Sequence, residues 1–158
     1  MAKYDDASWH YGGDYPVDLP KENGSTHIGF FIAWCIENQM LSQFQIEESG
    51  EDIQRFLKRD ITGRDFFLNN CDEKFTDEDL NELGNQFAGD YYKDDGEFAK
   101  STSSYLADFQ MAVEMYHKEF KLPFTSPYHL DDSWQFYDAF KTIIEDRFIQ
   151  WKAFRRLE

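Results

Sequence analysis

Apolar side chains recur along this chain at helical rather than strand spacing. Ile28, Phe31, Ile32, Cys35 and Ile36 fall three and four apart and form one stripe, which Phe30 and Trp34 widen to most of the circumference. This predicts a central helix from Ser25–Thr26 to about Gln39, with Ser25 or Thr26 as its N-cap. A second helix is predicted over Glu51–Lys58, with Ile53, Phe56 and Leu57 inward, and a short one over Asp65–Asn70. Thr76 with Asp79 three residues on resembles a capping box. Leu80, Leu83, Phe87 and Tyr91 follow it at spacings of three, four and four. Two longer stripes complete the pattern. Leu106, Phe109, Val113, Tyr116 and Phe120 mark a helix over Tyr105–Phe120 that Pro123 stops. Trp134, Tyr137, Phe140, Ile144, Phe148, Trp151 and Phe154 mark the last, from Ser133 to about Arg156.

No alternating run of five or more residues predicts a strand, and no repeat or linker divides the chain. The expectation is a single all-α domain over 1–158, a bundle of about five to six helices. Residues 1–26 form an irregular arm and 27–158 the helical body. Gly12-Gly13, Pro16, Pro20 and Gly24 punctuate the arm, yet Tyr4, Trp9, Tyr11 and Tyr15 make it too aromatic for a solvated tail. It is expected to lie ordered against the helices.

Charge narrows the partners. With 31 acids against 16 bases the net charge is −15, while aromatics reach 18%. So many rings argue for a folded chain despite the charge. The sign disfavours direct binding to nucleic acid or to an anionic membrane surface. The start has no secretory apolar core, and the most apolar stretch, Ile28–Ile36, is too short to span a bilayer. A cytoplasmic protein is therefore expected, with Cys35 and Cys71 as thiols and Cys35 in the core.

Motifs for catalysis are sparse. No GxSxG elbow, phosphate-binding glycine loop, HExxH or paired ExxH occurs, and Asp90–Glu97 lacks the ligand spacing of an EF-hand. No enzyme, cofactor or metal is expected. The acids are concentrated instead. Eleven against two bases lie between Asp65 and Glu97, leaving −9, with rings interleaved. Tyr91 and Tyr92 are adjacent, so one of them is expected to be exposed. Asp77, Glu78, Glu82, Asp90, Tyr91, Tyr92, Asp94 and Asp95 are thus the candidate surface for a basic partner, the carboxylates steering and the rings anchoring. A second candidate is a small-ligand or metal-binding protein, or an enzyme, with its pocket between the arm and the first helix, lined by Asp6, His10, Asp14 and His27. A nucleic-acid mimic is a third.

The segments Tyr4-Asp-Asp-Ala-Ser-Trp-His-Tyr-Gly-Gly-Asp-Tyr-Pro16 and Thr26-His-Ile-Gly-Phe-Phe-Ile-Ala-Trp-Cys35 are distinctive. Over this first quarter the chain resembles an uncharacterised family of small bacterial proteins similar to the immunity proteins of polymorphic or contact-dependent toxins. The resemblance carries over no catalytic residues. It implies an inhibitor that neutralises a cognate, basic toxin domain through the acidic surface. Trp9, His10, Tyr11 and Trp34 would either form a structural lock between arm and first helix, which the usual packing role of aromatic clusters favours, or line a shared ligand or partner groove.

Overall fold

The computed structural model describes residues 2–123 and 126–157. The chain opens with β1 (Lys3–Asp6) and α1 (Ala7–Tyr11), and a 3-10 turn over Lys21–Ser25 leads into α2 (Thr26–Glu37). Then come α3 (Gln43–Glu48), α4 (Gly50–Leu57), α5 (Gly63–Asn70) and β2 (Lys74–Thr76). A 3-10 turn at Asp77–Asp79 precedes α6 (Glu82–Tyr91), α7 (Glu97–Ser101) and α8 (Tyr105–Glu119). A last 3-10 turn at Pro127–His129 leads to α9 (Trp134–Arg155). The described chain is thus mostly helical, with more and shorter helices than the stripes predict and one two-stranded antiparallel sheet.

The central helix is where the stripe places it. Every residue of α2 from Thr26 to Ile36 is buried. Its Phe30 and Phe31 contact rings from α6, α8 and α9, so one ring-rich cluster fills the interior. On the other flank α5 crosses α2 almost backbone to backbone. A Cβ at Gly29 would lie 2.4 Å from the Arg64 nitrogen, and one at Gly63 would lie 2.1 Å from the Gly29 oxygen. Only glycines permit that approach.

Two expectations are corrected. The arm is not irregular at its start. Asp6 accepts from the Ser8 backbone N–H and caps α1, and Gly12 follows as its C-cap rather than preventing it. The capping box at Thr76–Asp79 exists, but it closes only a 3-10 turn. The chain is then extended at Leu80, which bridges to Leu41, and Asn81 caps α6 afresh through the Gly84 N–H. The helices α1, α3 and α7, of five, six and five residues, lack the length to show a stripe. Among the described residues no helix is long and apolar enough to cross a membrane.

Candidate functional site

The arm and α2 bring three side chains to one point. Strand β1 pairs Lys3 with Thr76, Asp5 with Phe75 and Asp6 with Lys74, with a register irregularity between Lys3 and Asp5. An irregularity of this kind re-aims a side chain, and the Asp5 carboxylate is buried. Helix α1 starts immediately afterwards and swings His10 back over that carboxylate. Gly24, 3.4 Å from the His10 Cβ at its would-be side chain, lets the 3-10 turn sit against α1. His27 comes from the first turn of α2.

The contacts are short. His10 Nε2 lies 2.7 Å from Asp5 Oδ1, His27 Nε2 lies 2.9 Å from Asp5 Oδ2, and the two Nε2 atoms are 3.1 Å apart. The Tyr92 hydroxyl donates to Asp5 Oδ2 at 2.5 Å, and the Asp6 backbone N–H donates to Oδ1 at 2.8 Å. Tyr105 donates to the His27 carbonyl, which fixes the start of α2. On the outer side, Tyr128 Oη is 2.8 Å from His10 Nδ1. Tyr128 is itself held by the arm. Asn23 donates to its carbonyl, and Tyr15 packs on its ring at 5.0 Å.

Burial and charge act in opposite directions on these groups. Burial alone would raise the Asp5 pKa, but the bonds from His10 and His27 hold it well below the usual carboxylate range. Burial lowers the His27 pKa, disfavouring its cation despite Asp5 alongside. Burial and the Asp5 charge raise the Tyr92 hydroxyl, so it remains a donor.

The centre forms the floor of a cleft of about 270 Å³. Leu106, Phe109 and Gln110 of α8 make one wall, Pro127 and Tyr128 the other, and His10 and His27 the base. A larger depression, about 360 Å³, lies between α2 and α9. Its polar groups are paired with one another, the buried Trp34 indole donating to Glu145 at 3.2 Å and Lys141 facing Glu37 at 3.8 Å, and no imidazole or buried carboxylate lines it, so the smaller cleft is the candidate site.

Of the expected pocket residues, His10 and His27 meet, and the other two do not join them. Asp6 is spent on capping α1 and on Lys3, and Asp14 is exposed. Asp5 takes their place; it stands among the acids near His10 in the sequence, but the expected pocket set leaves it out, because nothing in the Asp5-Asp6 pair shows which of the two faces the imidazole. The proposed lock also differs. Trp9 is 57% exposed beneath Lys3, and Trp34 packs on Phe87 and Phe148, far from the arm's histidine. Tyr11 is half-buried.

The acidic candidate surface loses its anchors. Tyr91 and Tyr92 are both buried, because the C-terminal end of α6 has core on two sides. Tyr91 reaches Asp108 on α8, and Tyr92 reaches Asp5 on β1. Asp90 is engaged by the Trp151 indole and the Arg155 guanidinium, each at 2.7 Å. Asp77 is half-buried, while Glu78, Glu82, Asp94 and Asp95 are exposed. Cys35 is a buried core residue whose thiol burial pushes up.

This arrangement, a strand–helix arm closing over a buried helix with a carboxylate and two imidazoles between them, falls within a known sequence family. The chain belongs to the family described as a domain of unknown function (DUF7832), whose model matches residues 3–122. The match includes Asp5, His10, His27, Tyr92 and the α8 wall, and ends before Tyr128. No curated protein and no solved structure matches the chain.

Proposed function

We propose that this protein works through the cleft, binding a small organic molecule whose polar head meets the Asp5–His10–His27 centre. The observation that carries this reading is the position of a buried, charged cluster at the base of an otherwise apolar recess. Apolar walls with a few convergent polar groups are the usual make-up of a ligand site. The walls suit a compact apolar or aromatic body against Leu106, Phe109 and Pro127, with the Gln110 amide as a hydrogen-bonding partner at the rim. No Lys or Arg lines the recess, and the net charge of −15 repels anions at long range. A neutral or singly charged ligand therefore fits best.

Ligand-observed NMR with a set of small aromatic amides and monocarboxylates tests this. The expected hits compete for one site and are lost in Leu106→Glu, which places a charge at the exposed edge of the α8 wall. Hits indifferent to that substitution, or none, would refute the reading.

The inhibitor reading draws support from the exposed carboxylates Glu78, Glu82, Asp94 and Asp95. On this second proposal they steer a basic toxin domain without an aromatic anchor. Reversing three of them should slow association and flatten its salt dependence, and unchanged kinetics would dismiss that surface.

A further inference from the structure

The Asp5–His10–His27 cluster poses a proton problem. Three groups that can each serve as a metal ligand converge here, with all their ligand atoms within 4.8 Å of one another, and as a carboxylate Asp5 requires a proton on each Nε2 that it contacts. If both nitrogens carry one, two N–H groups oppose each other across 3.1 Å. If only one does, the other turns a lone pair on the carboxylate at 2.7 or 2.9 Å. Neither assignment of neutral imidazoles satisfies all three edges. Charging both rings would set two cations against each other inside the protein.

A cation in the middle removes the conflict, because both nitrogens and the carboxylate then present lone pairs to it. We propose that Asp5, His10 and His27 bind one divalent first-row transition ion, deepening the cleft reading by supplying the group that its ligand's head would meet. The donor set is that of zinc and non-haem iron sites, two imidazoles and a carboxylate. The spacing fits as well. Ligands held about 2.0–2.1 Å from an ion lie about 2.9–3.4 Å from one another, depending on geometry. The two Nε2 atoms, 3.1 Å apart, lie inside that range, and their contacts of 2.7 and 2.9 Å are to the two different Asp5 oxygens, so the carboxylate is placed to bind through both.

The surrounding residues complete the picture. A metal on His10 Nε2 places the ring proton on Nδ1, where Tyr128 Oη accepts it at 2.8 Å. Tyr92 orients the carboxylate from behind. Asp5 and His27 side chains are 4% and 3% exposed, whereas His10 is 16% exposed. The remaining coordination positions therefore face the cleft that His10 and His27 line.

The test is calorimetric titration of the chelator-treated full chain with Zn²⁺ alone, repeated with Co²⁺ while following its visible spectrum. One equivalent should bind, and Co²⁺ should report nitrogen and oxygen ligands without thiolate charge transfer. His10→Ala and Asp5→Asn should each lower affinity at least about tenfold, with circular dichroism unchanged, and Asp14→Asn should leave it as it is. No stoichiometric binding, or binding indifferent to His10→Ala in a folded variant, overturns the proposal. The two readings fail separately. Fragments that bind the chelator-treated protein without stoichiometric Zn²⁺ uptake would overturn the metal and leave the cleft reading. Stoichiometric Zn²⁺ uptake with no fragment binding would support the metal and count against an organic ligand.

Discussion

Two buried carboxylates in this molecule receive similar numbers of hydrogen bonds and have opposite characters. Asp108 on α8 takes two from the Arg147 guanidinium at 2.9 and 3.0 Å, one from Tyr91 at 2.6 Å and one from Ser103 at 2.8 Å. Every partner is an unambiguous donor, and the charge is matched by a fixed cation. The set is closed and needs nothing more. Asp5 is met by two imidazoles, each able to donate or to accept, and both rings border a cleft. Burial and bond count alone would rank the two sites equally. The difference lies in the donors, which are fixed at Asp108, a structural tie, and ambivalent at Asp5, which supports the proposed binding centre.

Removing the charge from each carboxylate separates them most strongly. Asp108→Asn replaces one oxygen by an N–H₂ that meets an Arg147 N–H and either Tyr91 or Ser103, and leaves the guanidinium without its counter-charge. A loss of about 3–5 kcal/mol in urea unfolding is expected. Asp5→Asn does the reverse in metal-free protein. Its amide can donate to one imidazole and accept from the other, while Tyr92 turns to accept. The expected cost is under about 1 kcal/mol. Equal losses for the two variants would erase the distinction.

His10→Ala sharpens it next. This variant removes one horn of the N–H conflict from a partly exposed position. Metal-free stability should change by less than about 1 kcal/mol. The Zn²⁺-dependent rise in melting temperature of the parent protein should vanish, since only an ion bound to the native state stabilises it. A smaller effect is expected at Tyr128→Phe. Losing the acceptor for His10 Nδ1 should weaken Zn²⁺ binding about tenfold without affecting the fold. An unchanged affinity there would place Tyr128 outside the centre's support. Smallest of all, Tyr92→Phe should weaken Zn²⁺ less than Tyr128→Phe does, since the Asp6 N–H still orients the carboxylate.

The long stripes were legible in the chain because burial on one face of a helix imposes period 3.6, and α2, α8 and α9 sit within two residues of their predicted ends. Short helices were not, since five residues cannot display a period. The capping box at Thr76 was read correctly as local chemistry and wrongly as the start of the following helix. The stripe from Leu80 to Tyr91 hid a break that only the Leu41–Leu80 bridge imposes. At the site, the two histidines were found by residue type, and the wrong acids were chosen beside them. Asp6 stands four before His10 and would share its face only on a continuous helix. A strand–helix junction falls between them, so it is Asp5 that faces the imidazole. The tyrosines were misjudged for a related reason. Adjacent residues on a helix surface do diverge, but the end of α6 is enclosed by α8 on one side and β1 on the other.

The most direct test of the central claim is the long-range proton–nitrogen NMR spectrum of the four histidine side chains before and after one equivalent of Zn²⁺. The account predicts that the Nε2 resonances of His10 and His27 move together to the position of metal-bound nitrogen, with the proton on His10 Nδ1, while His117 and His129 stay where they were. Unmoved His10 and His27 resonances, or a shift confined to His129 or His117, would contradict it.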